Sequence, residues 1–137
     1  MDIDYRINHP VTAEQFVALL KRTSLGARRP IENAATIAGM LEHADLLVTA
    51  WSGEELVGVA RSVTDFHYCC YLSDLAVADE MQTRGIGKAL IRHTLEALHQ
   101  GCKLILLAAP QATGYYPKLG FSAHSSAWTI ASAEELV

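Results

Sequence analysis

The chain has 137 residues, half of them hydrophobic and 19% charged, with a formal net charge of -4. That is the size of one ordinary domain with apolar residues enough for a core, and a single domain over residues 1–137 is expected. No apolar run approaches the roughly 20 residues of a membrane helix, Met1-Asp2-Ile3-Asp4 does not read as a secretory leader, and the acidic balance disfavours nucleic acid, which needs a basic face.

Cys69, Cys70 and Cys102 are odd in number, two are neighbours, and no C-x-x-C pair exists. Reduced thiols in a cytoplasmic protein are the expectation, with no zinc or redox motif. The histidines form no H-x-x-x-H pair, so no metal site is expected. The negative charge mildly favours a cationic substrate.

Residues 3–8 alternate, with Ile3, Tyr5 and Ile7 on one side, and predict a half-buried strand ended by Pro10. Thr12 with Gln15 forms a capping box opening a helix whose apolar face is Phe16, Leu19 and Leu20. Residues 24–30 carry Gly26 and Pro30 and read as a loop. A second helix covers Ala34 to Glu42. Leu46 to Trp51 and Leu56 to Val63 form a hairpin across Ser52-Gly53-Glu54, and Cys70 to Val77 is a further strand. Gly85 to His99 is helical, with Ile86, Leu90, Ile91, Leu95 and Leu98 as its apolar stripe. Leu104 to Ala108, apolar throughout, predicts a central strand covered on both faces. Thr113 to Leu119 holds a short helix, and Phe121 onward, with Trp128 and Ile130, supplies one or two closing strands. A three-strand meander before a β-α-β crossover implies an α/β fold: a mixed sheet with helices on both faces.

Gln82-Thr83-Arg84-Gly85-Ile86-Gly87 lies between a strand and a strong helix. Its glycines permit a tight turn and close approach of a ligand, and the helix start offers unpartnered N–H groups to an anion. Arg84 and Lys88 add positive charge. A phosphate or pyrophosphate is the expected ligand; the bland alternative is a helix start that uses glycine for packing. A Walker A loop would need glycine at 82 and Ser or Thr at 89, where the chain has Gln82 and Ala89. A dinucleotide fingerprint would need a third glycine where Leu90 stands.

The segment Asp74-Leu75-Ala76-Val77 followed by Gln82 to Gly87, and later Ala112-Thr113-Gly114-Tyr115-Tyr116-Pro117-Lys118-Leu119-Gly120-Phe121, resembles the GCN5-related N-acetyltransferases (GNAT), small single-domain bacterial members in particular. The likeness is close over residues 71–121 and topological before that. It implies a mostly antiparallel sheet with a splayed parallel strand pair, Cys70–Val77 and Lys103–Ala109. Acetyl-coenzyme A would lie in that cleft. A bulge in the first strand would free backbone groups of Leu75 and Val77 for the pantetheine arm, the backbone near Ala76 would polarise the thioester carbonyl, and the amides from Arg84 through Gly85, Ile86, Gly87 and Lys88 to Ala89 would hold the pyrophosphate, with Gln82 and Thr83 leading in.

The implied reaction is direct attack of an amine on the thioester. Tyr116 matches the family's tyrosine that protonates the departing thiolate; the alternative is an aromatic that packs the cleft wall. Asp74, placed by alternation with Leu72 and Ala76, is the candidate to accept the ammonium proton, against a purely structural role; Asp65 and His67 are weaker candidates. Cys69 and Cys70 read as inert packing rather than nucleophiles. The acceptor is expected to be a primary amine of a small molecule. A protein lysine or N-terminus, or a coenzyme-A-binding homologue without turnover, are the other readings. Residues 24–30 and 65–71 would set acceptor identity, with Arg28 and Arg29 binding a substrate carboxylate or merely solvated. Homodimers are frequent in the family.

Overall fold

The computed structural model describes residues 2–137. The chain forms two compact units, residues 1–107 and 108–137. The first contains β1 (Asp4–Ile7), α1 (Ala13–Lys21), α2 (Ala34–Glu42), β2 (Leu46–Ser52), β3 (Glu55–Thr64), β4 (Cys69–Val77), α3 (Ile86–Glu96) and β5 (Lys103–Ile105). The second contains the four-residue helix α4 (Tyr115–Lys118).

The sheet order is β1-β2-β3-β4-β5. β1 to β4 pair antiparallel and β5 joins β4 in parallel, as a strand returning through a crossover helix must. This is the mixed, mostly antiparallel sheet expected from the sequence. Helices cover both faces. Gly58 of β3 looks onto α3, because a Cβ there would lie 3.1 Å from Leu90 Cδ1 and 3.3 Å from Ile86 Cγ2. Arg61, an odd number of residues along the same strand, donates to the Met40 carbonyl of α2 at 3.4 Å, on the opposite face. Phe16, Leu19 and Leu20 of α1 and Ile37 of α2 are buried against one side of the sheet; Ile86, Leu90 and Ile91 of α3 fill the other.

The helix starts follow their cap chemistry. The Thr12 hydroxyl accepts from Gln15 N–H at 3.1 Å while Gln15 Oε1 accepts from Thr12 N–H at 2.9 Å, the reciprocal box read from the sequence. Asn33 Oδ1 caps α2 through Thr36 N–H.

Two expectations are corrected. The strand expected over Leu104 to Ala108 narrows to Lys103–Ile105, and among the described residues it pairs with β4 alone. It is a sheet edge rather than a centre, and Ile105 and Leu107 are half exposed. Its apolar composition therefore does not report cover on both faces. No closing strand forms after Phe121. Residues 121–132 take no regular structure, a single 3-10 turn covers Ala133–Glu135, and Trp128 is 90% exposed. Trp128 and Ile130 give only two alternating apolar positions, too few to define a buried face.

The close approach at Gly58 yields a test. Gly58→Val should lower unfolding free energy by about 1–3 kcal/mol through overpacking against Leu90, Ile86 and Ala50. Urea denaturation checks this, and a midpoint equal to that of the wild type would show that α3 docks elsewhere.

Candidate active site

β4 carries an irregularity at its middle. Arg61 of β3 stands opposite Asp74, but the next residue, Ser62, stands opposite Leu72. Ser73 is therefore an extra residue, a β-bulge. Strict alternation would put Asp74 on the side of Leu72 and Ala76; the bulge leaves it with Ala76 and turns Leu72 to the other face.

The bulge coincides with the parting of two strands. β5 pairs with β4 at Cys69, Cys70 and Tyr71, and the ladder then stops. From Leu72 to Val77, β4 remains bonded to β3 on one side, through Leu75 to Ala60, Ala76 to Val59 and Val77 to Gly58, with no strand on the other among the described residues. The open backbone edge over this stretch lies where the sequence resemblance implies a splayed cleft. Leu75, Ala76 and Val77 lie on it.

Asp74 is fully buried and does not face solvent. Its Oδ2 accepts from Arg61 Nε, and its Oδ1 accepts from Arg29 Nε at 2.5 Å. Arg61 Nη2 donates to Ser73 Oγ at 3.0 Å, and Arg29 Nη2 donates to the Ser73 carbonyl at 2.7 Å. Arg29 is thus engaged by the sheet, while Arg28 is exposed. Arg61 belongs to this cluster although no motif marks it. Its signal was present: one charged residue inside the apolar run Leu56 to Val63 implies a buried partner.

Beyond β4 the chain turns through Asp79–Met81 into the glycine segment. Arg22, capping the end of α1, pins this turn by ion pairs to Glu80 and, at 2.7 Å, to Glu55, and its carbonyl accepts from Asp79 N–H at 2.9 Å. The hydrogen bond to Glu80 holds the Arg22 guanidinium above its ordinary value and the Glu80 carboxyl below the usual range. Gln82 folds back onto the Val77 carbonyl at 3.3 Å and Asp79 Oδ1 at 3.2 Å. Thr83 (φ 67°) and Gly85 (φ 80°) both take left-handed backbone. A β-branched residue rarely does so, and such turns concentrate backbone N–H groups into an anion-binding concavity. Gly85 caps α3 without a side-chain bond, and the first helical bond runs from Ala89 N–H to the Gly85 carbonyl. The amides of Ile86, Gly87 and Lys88 therefore precede the helical ladder. Gln82 to Gly85 and Lys88 are exposed, so the helix start is open to an anion.

At the other end of β4, Asp65 Oδ1 accepts from the N–H groups of His67, Tyr68 and Cys69 at 3.0, 2.8 and 3.1 Å. These backbone bonds, Tyr68 foremost, hold its carboxyl below the ordinary range. His67 stacks on His99 with ring centroids 4.0 Å apart. Asp65 is thus engaged in building the loop. Cys70 is buried, and burial pushes its thiol up.

In the second unit Tyr116 packs edge-on between Tyr115, at 5.2 Å, and Phe121, at 5.3 Å. Burial, with Tyr115 beside it, raises the phenol above its ordinary value, so it is protonated at neutral pH. Gly120 (φ 99°) ends the helix and brings Phe121 N–H to the Tyr116 carbonyl at 3.2 Å.

A five-stranded mixed sheet whose parallel pair parts beside an open helix start is the architecture of an acetyltransferase domain. The family model for the Acetyltransferase (GNAT) family matches residues 13–121, and the chain belongs to that family. It is similar to an uncharacterised N-acetyltransferase of Pyropia yezoensis, 26% identical over 107 residues, covering 77% of this chain and 58% of that one. It is also similar to the chloroplastic GCN5-related N-acetyltransferase 2 of Arabidopsis thaliana, 35% identical over 72 residues, 51% of this chain and 28% of that one. The chain thus spans little more than half the length of the first of these relatives, and less of the second. In fold it is similar to a GNAT family acetyltransferase from Streptococcus pneumoniae, with a TM-score of 0.76 at 21% identity, covering 96% of this chain and all of that one. Among the described residues, no helix is long and apolar enough to cross a membrane.

The three amide bonds on Asp65 make a pH prediction. Its carboxyl sits lower in the folded than in the unfolded chain, so the charge stabilises above the unfolded carboxylate range and is lost as pH falls through the folded value. Asp65→Asn should melt below the wild type at pH 7, and the gap should close in strong acid. A gap independent of pH would assign the effect to shape alone.

Proposed function

We propose that the protein transfers the acetyl group of acetyl-coenzyme A to a primary amine of a small molecule by direct attack. The observation that carries this reading is the open β4 edge, Leu72 to Val77, on the strand that leads through one short turn to the uncapped start of α3. An extended chain of amides suits a strand edge, and a pyrophosphate suits exposed helix-start N–H groups. The coenzyme supplies an activated thioester and a thiolate leaving group.

The residues divide the work as follows. Backbone groups of Leu75 and Val77 bind the pantetheine amides, and the backbone at Ala76 polarises the thioester carbonyl. The turn from Gln82 through Thr83 and Arg84 to Gly85 shapes the approach, and the amides of Gly85, Ile86, Gly87 and Lys88 hold the pyrophosphate, while the Ala89 N–H closes the first helical turn on the Gly85 carbonyl. Tyr116 donates the proton to the thiolate, a role supported by the Tyr115-Tyr116 and Gly120-Phe121 pattern and by a phenol kept protonated by burial. Asp74 enters the proposal as a residue that fixes the bulge. Both its oxygens already accept guanidinium protons, so the ammonium proton passes to water rather than to this carboxylate. The net negative charge favours an acceptor that arrives as a cationic amine. Three free thiols support a reducing, cytoplasmic setting.

Acetyl-coenzyme A should raise the melting temperature in proportion to the logarithm of its concentration, and ATP and NAD should not. Gly87→Val, which crowds the helix start, should weaken calorimetric binding at least about tenfold, a loss of 1.4 kcal/mol. A shift with ATP alone, or unchanged affinity in the variant, would overturn the placement of the coenzyme.

Tyr116→Phe keeps the ring and removes the hydroxyl. Coenzyme affinity should hold while single-turnover acetyl transfer falls roughly 10²- to 10⁴-fold. An amine panel with thiol-release detection supplies the acceptor. Weakened binding with normal chemistry would leave Tyr116 a packing residue.

A further inference from the structure

The turn Ser24–Arg28 is held firmly at its start. Thr23 Oγ1 accepts from Leu25 N–H at 3.1 Å and donates to the Leu20 carbonyl at 2.9 Å, and Leu25 is buried. A Cβ at Gly26 would lie 2.7 Å from the Leu20 carbonyl oxygen, so the chain there presses directly on the end of α1. Its far end is different. Ala27 and Arg28 are exposed, and the turn reaches the sheet through the side chain of Arg29.

Arg29 arrives at the one irregular point of β4. Its Nε and Nη2 span the Asp74 carboxylate and the Ser73 carbonyl, 2.5 and 2.7 Å away. Ser73 has no cross-strand partner in β3. Arg29 therefore supplies a donor to a bulge carbonyl that stands outside the ladder register. Its third nitrogen, Nη1, donates to the Arg28 carbonyl at 3.0 Å, tying the same guanidinium to the turn backbone. One planar group holds the turn, the carboxylate and the bulge in a fixed relation, which the fork geometry of arginine permits and a lysine does not.

We infer that Arg29 is a positioning residue that couples the Ser24–Arg28 turn to the bulged segment of β4, so that occupancy of the β4 edge and order in the turn rise together. The ligand half of this inference rests on the reading of β4 as the coenzyme edge. The link itself rests on the hydrogen bonds alone. Its consequence is an order of events: a coenzyme that bonds the backbone of Leu75 and Val77 stiffens the bulge, and through Arg29 it stiffens the turn before any acceptor arrives. By reciprocity, a ligand that ordered the turn would tighten coenzyme binding by the same factor.

Hydrogen exchange on the full chain tests this with wild type, Arg29→Gln and Arg29→Lys, each without and with acetyl-coenzyme A. Without ligand, Arg29→Gln should speed exchange roughly 10- to 100-fold in residues 24–28 and in 73–75, the worth of charged hydrogen bonds, while amides of α3 stay protected. Arg29→Lys keeps a charge against Asp74 but cannot span to Ser73, and should fall between the two; it also decides the case if the glutamine variant does not fold. With acetyl-coenzyme A, residues 24–28 should slow in wild type and stay fast in Arg29→Gln, although residues 72–77 slow in both. Exchange in the turn that ignores Arg29 without ligand, or slows equally in both proteins with it, overturns the coupling. A wild type that shows no response anywhere to acetyl-coenzyme A refutes the proposed function instead, and the ligand-free comparison still decides the link.

Discussion

A carboxylate shut away from water is costly unless opposite charge and hydrogen bonds meet both oxygens, and Asp74 satisfies that condition with two arginines from different parts of the chain. Arg61 comes from the neighbouring strand and Arg29 from the segment after α1, so the pair fastens a connection to the sheet as well as one strand to another. Truncating either arginine would leave a buried charge half-satisfied, the situation that destabilises most. The same contacts stabilise the extra residue, Ser73, in the middle of a strand. The Ser73 hydroxyl oxygen accepts from Arg61 and its carbonyl accepts from Arg29, so the bulge is built into the ion-pair cluster.

The rest of the site follows from where that bulge falls. β5 leaves β4 after Tyr71, two residues before it. A strand that stayed in register would have consumed the backbone groups of Leu72 to Val77. Their open edge leads directly into the turn pinned by Arg22, and that turn delivers the chain to α3 through two left-handed residues. α3 in turn lies close on the sheet because Gly58 lacks a side chain beneath Leu90 and Ile86. A strand edge and a helix start, each short of hydrogen-bond partners for its own geometric reason, are thereby set at consecutive points of the chain.

The order of helices and the hairpin could be read from the sequence because they depend on local chemistry. The box at Thr12 and Gln15, the span Ala34 to Glu42 and the glycine start of α3 are all local signals. The splayed pair was legible through the resemblance carried by residues 74–87 and 112–121. What failed was non-local. The run Leu104 to Ala108 is apolar, yet its environment is set by how far β5 follows β4. Trp128 and Ile130 suggested strands, although a strand needs a partner that composition does not name. Alternation groups Asp74 with Leu72 and Ala76, and it cannot anticipate the bulge that turns Leu72 to the other face. The partners of Asp74 stand 13 and 45 residues away, beyond any periodicity.

The proposed function requires one edge of β4 and the start of α3 to hold the same ligand. Backbone amide chemical shifts of the isotopically labelled chain, followed during titration with acetyl-coenzyme A, test it most directly. The largest saturable changes should fall in two groups, residues 72–77 and 83–89, with one dissociation constant for both. Changes confined to the helix start, with residues 72–77 unmoved, would contradict it: the anion site would be real and the strand edge would have no part in binding.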